Sequence, residues 1–362
     1  MTRDLNLPIY RDLIRPALFL LPAEAAYDLV TLALRLRPLW RVIGAVNSFA
    51  SSDIRTTVGG ITIENPVGLA AGLDKNCKVL PALSSLGFGY VTCGTVTLHP
   101  RSGNPKKRLI RDKSQETLIN SMGFPNKGLD AAVERIKRAR RQCADTPIVV
   151  SVSGTKSDEI VTCHRRLEPF VDAVEINISS PNTKGLRIFH NPDVLETLLD
   201  RINTERSKPL FVKMPSFPSE HEDAAHHNGT LTLADVCVAK QVSALTIANT
   251  QPVMEPRLEV GSGGLSGKLI YGQMLRMVSE VRERIGDRAD INACGGIFTA
   301  QDAVEALRAG ADTVQLLTGM VYMGPSVASE IAKGLSKLVS DEELSSVREL
   351  RSEASDAQLV RT

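Results

Sequence analysis

Eight short apolar runs, each closing on glycine, hydroxyl, amide or lysine residues, constrain this 362-residue chain more than any other feature. They read P-V-G-L-A-A (66–71), Y-V-T-C-G-T-V (90–96), P-I-V-V-S-V-S (147–153), A-V-E-I-N-I-S (173–179), P-L-F-V-K-M-P (209–215), A-L-T-I-A-N-T (244–250), D-I-N-A-C-G-G (290–296) and T-V-Q-L-L-T-G (313–319). Short runs rich in β-branched residues predict strands. Between them lie amphipathic stretches such as D-A-A-V-E-R-I-K-R-A-R-R (130–141), P-D-V-L-E-T-L-L-D-R-I (192–202) and A-Q-D-A-V-E-A-L-R-A-G (300–310). The last closes on Gly310, a natural helix stop. Eight strand–helix units predict an α/β fold, a closed (β/α)8 TIM barrel, with a doubly wound open sheet as the rival.

The polar residues gather where the strands end. They are Gly72, Asp74 and Lys75; Gly94 and Thr95; Ser153 and Gly154; Asn177, Ser179 and Ser180; Lys213; Asn249 and Thr250; Gly295 and Gly296; Thr318 and Gly319. The C-terminal ends of the strands are the face on which barrels build their sites. Fold stability alone does not require polar residues at every one of them.

Around this frame the chain divides into three parts. Residues 1–50 read as short helices broken at Pro22 and Pro38, with Leu, Phe and Trp on one side. Arg11, Arg15, Arg35, Arg37 and Arg41 interrupt the other side. Such helices either pack on the barrel or lie in a membrane interface. Residues 51–340 form the barrel, and 341–362 a polar C-terminal tail. The longest apolar run near the start, Pro16 to Ala23, is far below the ~20 residues needed to span a bilayer. No secretory signal is expected from M-T-R-D-L-N-L-P. A formal net charge of +2 implies no nucleic-acid partner. The six cysteines are scattered, without metal spacing, which fits a reducing compartment. His226 and His227 are expected in a solvated polar loop (E-H-E-D-A-A-H-H-N-G) rather than at a metal.

Three features carry chemistry. Gly295-Gly296 and L-L-T-G, at strands seven and eight, are placed where barrels commonly hold a phosphate on backbone N–H groups; a tight turn is the plainer alternative. Lys213 stands inside a core run, which is costly unless an anionic group meets it. Lys75 poses the same question at strand one, with Asp74 as a candidate partner. The remaining groups, Asn120, Asn177, Asn182, Asn249, Thr250 and Ser180, are amides and hydroxyls. They suit a small polar substrate fixed by hydrogen bonds. The lack of carboxylate or His among them argues for redox chemistry delegated to a cofactor.

The motifs A-A-G-L-D-K, G-T-V-T, G-N-P-x-x-R, L-I-N-S-M-G-F, N-I-S-S-P-N-T-x-G-L-R, V-K, A-N-T, G-G-L-S-G, G-G-I and Q-L-L-T-G occur in order from about Asn65 to Pro325. In this the chain resembles the dihydroorotate dehydrogenases, and residues 1–50 look like the helical extension of their class 2, quinone-reducing members. The resemblance implies an FMN enzyme that oxidises dihydroorotate to orotate in pyrimidine synthesis and passes electrons to a quinone. It makes Ser180 the base that removes the C5 proton while hydride moves from C6 to flavin N5. It places substrate on Lys75, Asn120, Met122, Gly123, Phe124, Asn177, Asn182, Asn249 and Thr250. Flavin contacts fall on Ala70, Ala71, Gly72, Gly94, Thr95, Asn177, Lys213, Ser266, Gly267, Gly295, Gly296, Leu316 and Thr318, and a quinone tunnel on Arg111. No metal is implied. The implied location is peripheral, on the cytoplasmic face of the cell membrane or, in a eukaryote, the mitochondrial inner membrane. The chain departs from the class 2 pattern at Pro125, Ala248 and Leu317, and strand three reads V-S-V-S-G-T. A related flavin oxidoreductase with another acceptor, and a phosphate-binding barrel without catalysis, stay open as alternatives.

Overall fold

The computed structural model describes residues 9–36, 40, 42–44, 49–143, 145–183, 185–218 and 224–351. Arg37, Pro38, Arg41 and residues 352–362, all named above, lie outside the described residues. In chain order the strands are β1 Thr56–Val58, β2 Ile61–Ile63, β3 Val67–Leu69, β4 Tyr90–Val96, β5 Leu109–Asp112, β6 Thr117–Asn120 and β7 Ile148–Val152. They continue with β8 Ala173–Asn177, β9 Leu210–Lys213, β10 Ala244–Ile247, β11 Gln251–Met254, β12 Ser262–Gly267, β13 Asp290–Cys294 and β14 Thr313–Leu316.

The eight apolar runs are β3, β4, β7, β8, β9, β10, β13 and β14, and they close into one parallel barrel in that order. Seven of the eight are buried at every position, which is why they read as continuous apolar runs rather than alternating ones. Helices such as Gly128–Arg140, Pro192–Asn203 and Ala300–Arg308 pack outside them. The last is capped by Thr299 and stops before Gly310, whose φ of +116° suits glycine. Below the barrel the β1–β2 hairpin seals the N-terminal end. Val58 and Ile63 pack there with Tyr90, Val149 and Phe211, and Gly59 N donates to Asp290 Oδ2 at 2.6 Å.

Two insertions, after β4 and after β10, were not legible as strands. They meet at the opposite end as an antiparallel sheet in the order β11-β12-β6-β5. This sheet brings Asn120, at the end of β6, opposite Gly264 on β12.

The N-terminal helices lie over that same end. A π-helical turn, Tyr10–Ile14, runs into helix Arg15–Leu20, and Pro22 starts helix Ala23–Ala33. Tyr10 Oη donates to Val321 O (2.8 Å), Arg15 Nη1 to Tyr322 O (3.1 Å) and Tyr27 Oη to Leu73 O (2.7 Å). Arg108 Nε pairs with Glu24 at 3.1 Å. The outward faces stay apolar: Leu13 is 68 %, Leu20 85 % and Leu32 59 % exposed. Among the described residues no helix is long and apolar enough to cross a membrane.

Two sequence expectations are corrected. His226 and His227 lie on helix Ala224–Ala239, not in a loop. There His227 Nε2 meets Glu280 at 2.7 Å and its ring stacks on Phe217 at 4.0 Å, so packing spends the histidine. The polar tail expected from residue 341 belongs to the barrel as far as Arg351. Val347 and Leu350 are buried, Val347 N donates to Asp53 O, and Arg351 Nη1 meets Asp312 Oδ1 at 2.6 Å. Its charged residues hid two core side chains.

Candidate active site

One cavity of about 790 Å³ opens between the barrel's C-terminal end and the N-terminal helices. It lies within the size range of cofactor and ligand pockets. The site residues read from the sequence all line it, with one exception. Gly94 sits behind the wall: its carbonyl accepts from Gly72 N at 3.1 Å, and a Cβ there would lie 2.4 Å from Ser151 O.

The floor is an amide and hydroxyl lattice built where strands end. Asn177 closes β8; its Nδ2 donates to Thr95 Oγ1 (3.4 Å) and its Oδ1 accepts from Asn249 Nδ2 (3.1 Å). Asn249 Nδ2 also reaches Ser179 Oγ (3.0 Å), which in turn donates to Lys213 O (2.8 Å). Asn182 Nδ2 donates to Asn120 Oδ1 (3.2 Å), tying the β8 loop to β6. Asn104 Nδ2 secures both, donating to Ser121 O and Asn182 O. Ser180 stands in this lattice with its Oγ accepting from Asn182 N at 3.4 Å.

Two lysines supply the positive charge. Lys75 is half-buried and lines the cavity. Burial pushes its ammonium down to about 8, Arg108 adds to the effect, and Asp74, Glu24 and Asp28 offset part of it. Asp74 is not its close partner, since both carboxylate oxygens accept backbone N–H groups, of Lys78 and Val79 at 2.8 Å each. Lys213, at the end of β9, is buried, with Nζ 3.8 Å from Cys294 Sγ.

At strands seven and eight the wall is bare backbone. Gly295 and Gly296 hold φ of +147° and +74°, and a Cβ on Gly296 would lie 2.6 Å from Tyr271 Cβ. Opposite, Thr318 Oγ1 donates to Ser266 Oγ at 2.9 Å. Ile270, Leu316 and Gly319 complete this end.

The upper part of the cavity is a throat of Leu18, Phe19, Tyr27, Leu29, Val30 and Trp40. Arg111 enters it from β5, its guanidinium 4.5 Å from the Phe19 ring centroid, with Nη1 on Leu18 O (3.2 Å) and Nη2 on Leu21 O. Of the departures, Pro125, Ala248 and Leu317 face the cavity, whereas the strand-three segment V-S-V-S-G-T does not line it. Individual throat residues, Tyr27 above all, were missed from the sequence, since an apolar helix face does not say which side chains turn inward. Glu175 was missed too, although it carries the signal that singled out Lys213: a charge inside a core run. Among the described residues no three His, Cys, Asp or Glu side chains converge as a metal site.

Comparison with known proteins places this geometry in context. The family model described as dihydroorotate dehydrogenase matches residues 53–339. A dihydroorotate dehydrogenase (quinone) of Chloroflexus aurantiacus is 36 % identical over 352 residues, covering 90 % of this chain and 96 % of the relative. The Bordetella avium protein of the same name is 37 % identical over 346 residues, covering 88 % and 95 %. Among solved structures, the DHODH of Eimeria tenella in complex with ferulenol matches with a TM-score of 0.75 at 27 % identity, covering 90 % of this chain and 94 % of that one.

Proposed function

The chain belongs to the dihydroorotate dehydrogenase family, and from that premise we propose that it oxidises dihydroorotate to orotate in pyrimidine biosynthesis and delivers the electrons to a quinone. The observation that carries this reading is the single cavity that joins an amide-lined floor to an apolar throat under the N-terminal helices. A small polar substrate and a lipid-soluble acceptor need such opposite surroundings, within reach of one cofactor.

The residues present fit FMN. Lys213 is a buried ammonium whose close contact is a sulfur, so a bound group with negative charge would complete it. The bare Gly295-Gly296 backbone with Thr318 and Ser266 suits a phosphate at strands seven and eight. Ala70, Ala71, Gly72, Thr95, Asn177, Gly267 and Leu316 would line the ring and its side chain. The chemistry that FMN supplies when bound is acceptance of the C6 hydride at N5 and release of the electrons to a quinone.

The protein's own part is binding and proton transfer. Asn120, Asn177, Asn182, Asn249 and Thr250 hold the carbonyl and N–H edges of the pyrimidine ring. Lys75 meets the substrate's negative charge, and Met122, Gly123 and Phe124 form the loop beside it. Ser180 Oγ takes the proton from C5. A hydroxyl is a weak base, so a relay that carries its own proton on to solvent, together with desolvation and the acidifying neighbouring carbonyl of the substrate, must supply the rest. Among the described residues no His or carboxylate is a hydrogen-bond partner of Ser180. Arg111 and the throat admit the quinone. The exposed Leu13, Leu20 and Leu32 face would rest in a membrane interface as a peripheral anchor.

Purified full-length protein tests this. It should be yellow, its flavin band should bleach on anaerobic addition of dihydroorotate, and a quinone should restore the colour. A coloured protein that dihydroorotate does not bleach would defeat the substrate assignment.

A further inference from the structure

Of the buried carboxylates that the mechanism above leaves unused, Glu175 alone is fully enclosed among the described residues. Glu175 lies in the middle of β8 with no solvent exposure. Its Oε2 accepts from Thr246 Oγ1 at 2.8 Å, and its Oε1 has no hydrogen-bond partner. A buried carboxylate with one oxygen unanswered is costly unless a positive charge compensates it.

The strand register shows where that charge is. Glu175 pairs with Phe211 and Asn177 with Lys213, so on the inward face the carboxylate lies one layer below the ammonium. Thr246, which donates to Glu175, is the β10 residue directly opposite Lys213. Among the described residues the two charges make no N···O contact within 4.0 Å, so they act on each other through the barrel core. The third titratable group here is Cys294, 3.8 Å from Lys213 Nζ. Burial lowers the Lys213 pKa, Cys294 and Glu175 oppose it, and the balance is upward. Burial raises the pKa of the Cys294 thiol, and the Lys213 ammonium beside it pulls the other way. The fourth is Tyr90, whose phenol burial also raises, keeping it neutral. Below Glu175 only uncharged groups follow. Asn292 Nδ2 reaches Thr246 Oγ1 (3.4 Å), Thr313 donates to Asn292 Oδ1 (2.7 Å), and Tyr90 joins Thr313 (2.9 Å) and Gln315 (3.1 Å).

We propose that Glu175 is the counter-charge of Lys213, a positioning residue that keeps the ammonium protonated and aimed into the cavity, and so sets the charge balance beneath the cofactor ring. The inference rests on the reading of Lys213 as the residue that faces the flavin.

Two measurements on the full-length protein test it. The first is thermal stability of wild type, Glu175→Gln, Lys213→Met and the double variant, which compares proteins equal in their Lys213 contact to cofactor. Glu175→Gln should lower the midpoint in the wild-type background and raise it in the Lys213→Met background, where it removes a stranded charge. An equal loss in both backgrounds would make Glu175 a packing residue and overturn the proposal. This comparison survives a poorly folding single variant, because Lys213→Met against the double variant already reads the sign. The second is the flavin midpoint potential against pH. Glu175→Gln should move the break at which Lys213 loses its proton to lower pH than in wild type, and the potential should fall below wild type beyond it. Parallel lines would overturn the proposal. A colourless protein would defeat the FMN reading, and the stability comparison would still decide the pair.

Discussion

The Lys75 ammonium lies 3.9 Å from the centroid of the Tyr27 ring. A lysine from the loop after the first barrel strand is therefore roofed by an aromatic side chain from the N-terminal helices. Tyr27 Oη holds the roof in place on Leu73 O at 2.7 Å. The same ring that excludes water from the site also borders the throat, so the two ends of the cavity share a wall.

That roof has a pH consequence. Burial brings Lys75 from 10.5 to about 8. Below pH 8 the folded protein carries the charge at a cost. Between pH 8 and 10.5 the folded state loses the proton while the unfolded state keeps it, so stability rises with pH by roughly 3 kcal/mol over that window. The difference in unfolding free energy between wild type and Lys75→Met should therefore grow in favour of wild type from pH 8 upward. A difference independent of pH would mean that Lys75 is charged in the fold throughout. Dihydroorotate affinity should fall through the same window as the ammonium is lost.

Ser180 is expected to act in the proton step and not in binding. Ser180→Ala should retain flavin and substrate and slow flavin reduction by ~10²–10⁴, the usual range for a positioned base. Stopped-flow reduction measures it, and a wild-type rate would remove Ser180 from the mechanism.

Arg111 holds the throat by bonding Leu18 O and Leu21 O, where helix Arg15–Leu20 ends. Arg111→Ala should leave reduction by dihydroorotate intact and raise the KM for a long-tailed quinone roughly tenfold, about 1.4 kcal/mol. A chain starting at Ser51 should go further: it keeps the barrel, loses binding to anionic vesicles and turns over poorly with long-tailed quinone. Full quinone activity in vesicles after truncation would make the helices packing elements alone.

Gly296→Ala tests the strand-seven wall. The added Cβ meets Tyr271 Cα at 2.8 Å in a backbone with φ of +74°. Strain of about 1–3 kcal/mol is expected, seen as a lower Tm and reduced flavin occupancy. Wild-type occupancy and Tm would show that the turn yields without cost.

The sequence by itself determined the barrel and the residues at its rim. Strands buried on both faces must be continuous apolar runs, and a polar or glycine residue at each run's end is visible without any contact map. Lys213 was legible for the same reason, as a charge where burial forbids one without a partner. Only the tertiary structure decided what surrounds these residues. The half-exposed strands β5, β6, β11 and β12 have no long apolar signature, because packing and pairing across two distant insertions make them strands. Tyr27 comes to Lys75 across 48 residues of chain, and Val347 and Leu350 enter the core from a segment that composition marks as solvent-facing. Glu175 shows the limit most plainly. A lone carboxylate in a core run says that a partner is required, but strand register, which no local sequence encodes, decides that Lys213 lies one layer above it.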